Sequence, residues 1–422
     1  MTPLKEKILK RFPAFRSQDF LVFWIGQAVS LIGTWMQSTT LPYLAYRISG
    51  RPLDLGLIGF AATLPTLFLA LPGGVIIERL DKRKSVIVLQ SVMMLQAFAL
   101  AYLAITGIIQ IWHIVVLSFI MGIASAFEIT ARQAMLVELV GKPALPNAIA
   151  LQATVFNSAR VLGPMAAAPF LLLLQEQGEG WAFFANGVSY LFVVVGLLFV
   201  KTPFRVPAPD MHNRDLFQEF KDGQRYILST NTISTLILMA SVIGFFGFPF
   251  SQQIPAIARD VLAQAGDTDA MVAARNSALY TFQGVGALIA ALFLASFSGF
   301  KRKGMLLTLG QFGFILALIA ISFVRSLPLA LPIILILGWG TVTQLATMNT
   351  LIQLEVPDHL RGRVFSTYLW ALQGIAPFGS LAIGWMAQTW DVPTTALVVG
   401  LLCLVVIGVT HLRNPSVRLM TG

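Results

Sequence analysis

The chain has 422 residues, of which 56% are hydrophobic and 11% charged, with a formal net charge of +10 and a mean hydropathy of +0.77. A soluble domain carries about 25% charged residues, so this composition excludes an ordinary soluble protein and indicates a polytopic helical membrane protein. The single cysteine, Cys403, excludes an intrachain disulfide and a cysteine-based metal site.

Residues 1–19 are basic and amphipathic and lack a continuous apolar core before a cleavage site, which predicts a retained cytoplasmic segment. Apolar runs bounded by charges, Pro/Gly or polar clusters then mark six spans, at 20–46, 54–78, 84–107, 112–138, 147–174 and 181–200. The stretch 201–228 holds prolines and both charge signs, with an amphipathic pattern from Leu216 to Tyr226; it reads as a cytoplasmic linker with a short surface helix. Six further spans follow at 229–258, 276–297, 303–324, 329–354, 363–388 and 393–411, and 412–422 form a tail. The expected fold is therefore all-α, with twelve transmembrane helices in two pseudo-symmetric six-helix bundles, 20–200 and 229–411.

Lysine and arginine set the orientation. With the N-terminus inside, 22 of the 29 fall on the cytoplasmic side, 5 outside, and Arg132 and Arg160 within spans. That asymmetry predicts both termini in the cytoplasm of a cell with the protein in its cytoplasmic membrane. A basic turn recurs after spans two and eight, and LVELVGKPALPNAIA after span four is echoed by IQLEVPDHLRGRVFS after span ten. Duplicated halves of this kind suggest a substrate path between them.

No glycine-rich loop followed by Lys-Ser/Thr is present, so ATP-driven transport by this chain is not expected, and no cofactor is implied. His113, His212, His359 and His411 lie at span ends or in loops without metal-ligand spacing. The basic charge is accounted for by topology and does not require nucleic acid.

Two six-span halves, a long central linker and the turn after span two resemble the major facilitator superfamily. Within it, ARQAMLVELV, LPNAIALQATVFNSARVLGP, FWIGQAVSLIGTWMQ and VPDHLRGRVFSTYL are similar to the bacterial exporter branch that includes the enterobactin exporter. The superfamily's turn motif falls on Gly74, Glu78, Arg79, Asp81, Arg83 and Lys84, with Glu in place of Asp and Asp81 in place of the second glycine. The resemblance implies a conformational latch there. Gly163-Pro164, with Arg160 before it and Ala166 to Ala168 after, resembles the span-five motif of exporters, where small residues permit close helix contact and proline supplies a bend. The arginine that many proton-coupled members carry early in span four is absent; Ser118 and Met121 stand in that pattern.

Ionisable residues inside a span are costly and usually functional. Glu128 and Arg132 in span four are spaced i,i+4, and Arg160 in the antiparallel span five lies at a similar depth, so Glu128 could pair with either. Exchange of partners would let Glu128 load or release a proton, and two arginines beside one carboxylate leave a positive excess that an anionic substrate could neutralise. Candidate cavity residues are Gln27, Ser30, Thr34 and Gln37 on one face of span one, Phe245 and Phe246 in span seven, Gln344 and Thr347 in span ten, and Tyr368 and Gln373 in span eleven. The expected function is a secondary transporter, monomeric as a working unit, that exports a lipophilic or amphipathic small molecule by alternating access, with protons as the coupling ion. A lysophospholipid transporter without proton coupling and a non-transporting assembly or regulatory protein are the alternatives.

Overall fold

The computed structural model describes residues 12–202, 204, 216–296 and 300–421, with the backbone alone described at 70–72, 74, 75, 78 and 216–220. Among the described residues every regular element is helical, as a bilayer demands of a chain that must satisfy its own backbone N–H and C=O groups. The helices are α1 (Gln18–Ser49), α2 (Pro52–Glu78), α3 (Lys82–Ile105), α4 (Ile111–Leu173), α5 (Gly178–Phe199), α6 (Leu216–Ser229), α7 (Asn231–Val242), α8 (Asp269–Ser296), α9 (Lys303–Phe323), α10 (Leu327–Glu355), α11 (Asp358–Leu369), α12 (Ala376–Thr389) and α13 (Val392–Arg413). Counting α7 and the pair α11 and α12 with their continuations, 11 helices are long and apolar enough to cross a membrane.

The 63-residue α4 contains both expected spans four and five and is broken at Gly141, whose φ of 71° and ψ of 164° leave the helical region. Glycine adopts positive φ without steric cost, and Pro143 and Pro146 begin the second arm, where a missing N–H interrupts no helical bond. Residues 111–140 and 142–173 are thus two arms, and the expectation of twelve crossings counts them separately. Other ends are capped by side chains. Asp81 accepts a hydrogen bond from the Lys84 N–H at 3.0 Å and starts α3, and Asp391 does the same for α13 through the Thr394 N–H at 2.6 Å. At the head of α4, the Gln110 N–H donates to His113 Nδ1 at 3.0 Å, which gives that histidine a capping role.

Two compact units divide the chain. The first comprises Met1–Leu41 and Phe68–Met211, the second Pro42–Leu67 and His212–Gly422. This division differs from the expected halves over 42–67, the end of α1 and the start of α2. Helix α1 leaves the first unit at Pro42, its one internal proline, a residue that cannot donate the helical hydrogen bond at that turn.

The first unit is centred on Phe20, Phe23, Val86, Met135, Leu136, Val193 and Leu197, buried where α1, α3, α4 and α5 meet. The second arm of α4 approaches α1 at the Gly163-Pro164 step. A Cβ on Gly163 would lie 2.8 Å from the Met36 backbone nitrogen, so only glycine allows this separation. We expect Gly163→Ala to lower stability by about 1–3 kcal/mol through overpacking, read as a lower unfolding temperature of the purified protein.

In the second unit, segment 42–67 is seated on the C-terminal helices by several independent contacts. Tyr43 donates its hydroxyl to the Asp269 carbonyl oxygen at 2.9 Å, Tyr46 donates to Asp260 Oδ2, and Phe60 meets Phe378 edge-on at 6.4 Å. Gly56 and Gly384 face each other so closely that a Cβ on Gly384 would come within 2.9 Å of the Gly56 Cα. Helix α6 begins at Leu216 and docks on α11, with Asp222 paired to Arg363 at 3.2 Å and Gln224 donating to Thr367 Oγ1 at 2.8 Å.

Candidate functional site

Glu128 is 5% exposed, at the end of a largely apolar run in the first arm of α4. Its Oε1 accepts hydrogen bonds from Arg132 Nε at 3.1 Å and from Gln90 Nε2 at 3.0 Å, and its Oε2 lies 3.4 Å from the same Arg132 Nε. The structure therefore resolves the choice of partner left open by spacing: the i,i+4 arginine holds the carboxylate, and an amide from α3 completes the site. Arg132 spends only its Nε on this pair, and its terminal N–H groups have no protein partner among the described residues.

Arg160 makes no ion pair or hydrogen bond among the described residues. Its guanidinium lies over the Trp35 ring, 4.9 Å from the centroid, a cation–π contact that compensates part of the cost of holding a charge in an apolar setting. Glu128, Arg132 and Trp35 line one cavity of about 220 Å³, together with Gln27, Ser30, Thr34 and the aromatic side chains of Phe156 and Tyr190. Thr34 donates to the Ser30 carbonyl oxygen at 2.9 Å and accepts from the Tyr190 hydroxyl at 3.0 Å, which fixes the polar face of α1.

Gln37 lies on the same predicted stripe but serves another purpose. Asn186 Nδ2 donates to its Oε1 at 2.8 Å and its Nε2 donates to Gln96 Oε1 at 3.0 Å, so its amide ties α1 to α5 and α3. Ser118, standing where a family arginine would be, is buried, and its hydroxyl has no hydrogen-bond partner among the described residues.

In the turn after α2, Asp81 caps α3, Arg83 Nη2 donates to the Leu198 carbonyl oxygen at 2.8 Å, and Arg79 is exposed. Gly74 and Glu78 belong to α2 by their backbone; the Glu78 side chain, the carboxylate expected of a latch, lies outside the described residues. Sequence reasoning missed the strongest contact of this turn, the ion pair of buried Lys82 with Glu138 at 2.8 Å, which joins α3 to the end of the first arm of α4. Glu138 shares the helix with Glu128, and its position ten residues further on, at the end of an apolar run, was the available signal.

The predicted residues of the second unit are dispersed. Phe245 and Phe246 lie in a π-helical turn, Ile243–Gly247, with ring centroids 4.9 Å apart. A second π-turn, Trp370–Gly374, carries Gln373, which is exposed. The two turns pack together: a Cβ on Gly244 would collide with the Leu372 carbonyl group. Such turns interrupt regular helix bonding and recur at functional sites. Tyr368 is buried and donates to the Leu345 carbonyl oxygen at 3.4 Å. Gln344 and Thr347 are buried, and Gln344 Nε2 and Thr347 Oγ1 have no hydrogen-bond partner among the described residues.

A chain whose described regular elements are all helical, with this many membrane-length apolar helices and a carboxylate–arginine pair set in a polar, aromatic-walled cavity, has the build of a major facilitator-type membrane transporter. The solved structures agree on the fold. The nucleoside transporter NupG superposes with a TM-score of 0.68 at 13% identity, covering 93% of this chain and 98% of that one. A bacterial homologue of the human lysosomal transporter Spinster, inward-facing and unoccupied, gives 0.68 at 14%, covering 96% of each. The family model described as transmembrane secretion effector matches residues 10–419, and the chain belongs to this family. It is similar to the staphyloferrin A transporter of Staphylococcus aureus, 26% identical over 96% of each chain. It is also similar to the multidrug efflux pump Tap of Mycolicibacterium fortuitum, 24% identical over 92% of this chain and 93% of that one, and to the enterobactin exporter EntS of Shigella flexneri, 22% identical over 96% and 94%. The protein is a multi-pass membrane transporter and not an enzyme.

Proposed function

We propose that the protein is a secondary active exporter of an anionic amphipathic small molecule, drug- or siderophore-like, working by alternating access and driven by inward proton flow. The observation that carries this reading is the cationic surplus of the first unit: among the described residues Arg160, over the Trp35 ring, has no carboxylate partner, and Arg132, which lines the cavity with Trp35, Phe156 and Tyr190, keeps its terminal N–H groups free. An acidic group would satisfy the arginines while a ring or chain covers the aromatic wall. Relatives that carry siderophores and drugs support the same solute class. The distribution of basic residues supports insertion in the cytoplasmic membrane with both termini inside.

Glu128 is the coupling carboxylate in this reading. Proton movement provides the test, with purified protein in proteoliposomes, an internal pH dye, and staphyloferrin A and enterobactin as probe solutes. Glu128→Gln retains the hydrogen bonds but not the charge, and is expected to reduce solute-driven proton movement to that of empty liposomes. Coupling at the wild-type level in this variant would remove Glu128 from the mechanism.

A further inference from the structure

A second carboxylate, outside the cavity, is placed to respond to protons. Asp260 belongs to a π-helical turn, Ile257–Val261, that follows the helical continuation of α7. It is exposed along one edge and so within reach of solvent protons, while its Oδ2 takes the hydroxyl of Tyr46, which is itself only 3% exposed. Tyr46 belongs to the part of α1 beyond Pro42 that sits in the second unit.

The geometry points to Asp260 as a proton-binding gate residue: seating of the 42–67 segment on the second unit takes up a proton at Asp260, and unseating releases it. This deepens the proton-coupled reading above and rests on it for its role in transport. The elements packed around the turn present Arg259 and Asp267 from its own connection, Tyr46 and Arg47 from α1, Asp269 and Arg275 from α8, and Asp391 at the head of α13. Most of these charges are already committed. Arg275 pairs with Asp267 at 2.7 Å, Arg259 lies 3.6 Å from Asp269, and Asp391 caps α13.

The direction of the effect follows from the balance at Asp260. Burial of its carboxyl pushes it above the usual carboxylate range, against the hydrogen bond from Tyr46 and the charge of Arg259, which pull it down. A group held above its free value in the seated state binds its proton more tightly there than when released to water. Seating is therefore favoured in acid and weakens as pH rises through the seated value. The same sign suits an exporter that closes one end with an incoming proton.

Maleimide labelling of Ser380→Cys in a Cys403→Ser background reads the state of the seat, because Ser380 is 3% exposed beneath segment 42–67 and its hydroxyl would touch a Cβ at Gly59. Rates are measured in detergent and divided by the rate of the same protein denatured at the same pH. The normalised rate is expected to rise severalfold between about pH 5 and about pH 8, the direction dictated by a carboxyl held above its free value in the seated state. Asp260→Asn, a neutral isostere, is expected to stay at the slow acid rate at both values. Tyr46→Phe, which loses one hydroxyl and keeps its ring packing, is expected to shift the transition to higher pH. It carries the test alone if Asp260→Asn does not fold. Faster labelling of Asp260→Asn than of its parent, or an unchanged transition in Tyr46→Phe, would overturn the inference. Labelling needs no solute, so its failure leaves the roles of Glu128 and Arg160 standing, and a failure of proton transport leaves the gate standing.

Discussion

Glu128→Ala is expected to be the most damaging single substitution in the first unit. It removes the carboxylate from Arg132 and leaves an uncompensated, largely buried cation, a change that costs about 3–5 kcal/mol for buried pairs. The unfolding temperature of the purified protein in detergent should fall accordingly. Replacing both members, Glu128→Gln with Arg132→Gln, should recover most of that loss, because two amides can bond each other and Gln90 remains as a neighbour. The double variant should nevertheless be inactive in proteoliposomes. Stability restored without transport would separate the role of the pair in holding the helices from its role in coupling. A double variant no more stable than Glu128→Ala would show that the ion pair itself is not what the single change disrupts.

Arg160→Ala is expected to weaken binding of an anionic solute such as enterobactin by about ten- to a hundredfold, the value of losing a hydrogen bond to a charged group. Binding of a neutral amphiphile should change by less than about twofold, since the aromatic wall is intact. Arg160→Lys should fall between, because it retains the charge but loses the planar stack on Trp35 and the forked donors. Isothermal titration of the purified variants distinguishes these outcomes. Equal loss for neutral and anionic solutes would assign Arg160 to packing and not to recognition.

The transporter class and the charged centre were legible because both rest on contrasts that survive without a structure: long apolar runs against few charges, and three ionisable residues where none are expected. The choice between Arg132 and Arg160 was not legible, since helical rise places both at similar depth and only side-chain geometry decides. Gln90 was invisible for a different reason. It is one amide among several on α3, and its meaning depends on which face of α3 meets Glu128. Gln37 shows the limit of reading a stripe, because a polar face of about three turns is longer than the cavity it borders, and its last member was recruited to bind Asn186 and Gln96. Asp81 in place of a motif glycine has a local explanation, the cap of α3. The assignment of 42–67 to the second unit could not be read from hydropathy, which records where a chain enters lipid but not which neighbours it adopts.

Helix α1 presents Gln27, Ser30 and Thr34 to one cavity of the first unit. These three side chains are phased by the helix alone, because each residue turns it by about 100° and advances it by about 1.5 Å. One residue inserted between Ser30 and Thr34 would leave every side chain in place chemically while turning Thr34 off the face that carries Gln27 and Ser30. Length, more than identity, is what this part of the chain must conserve.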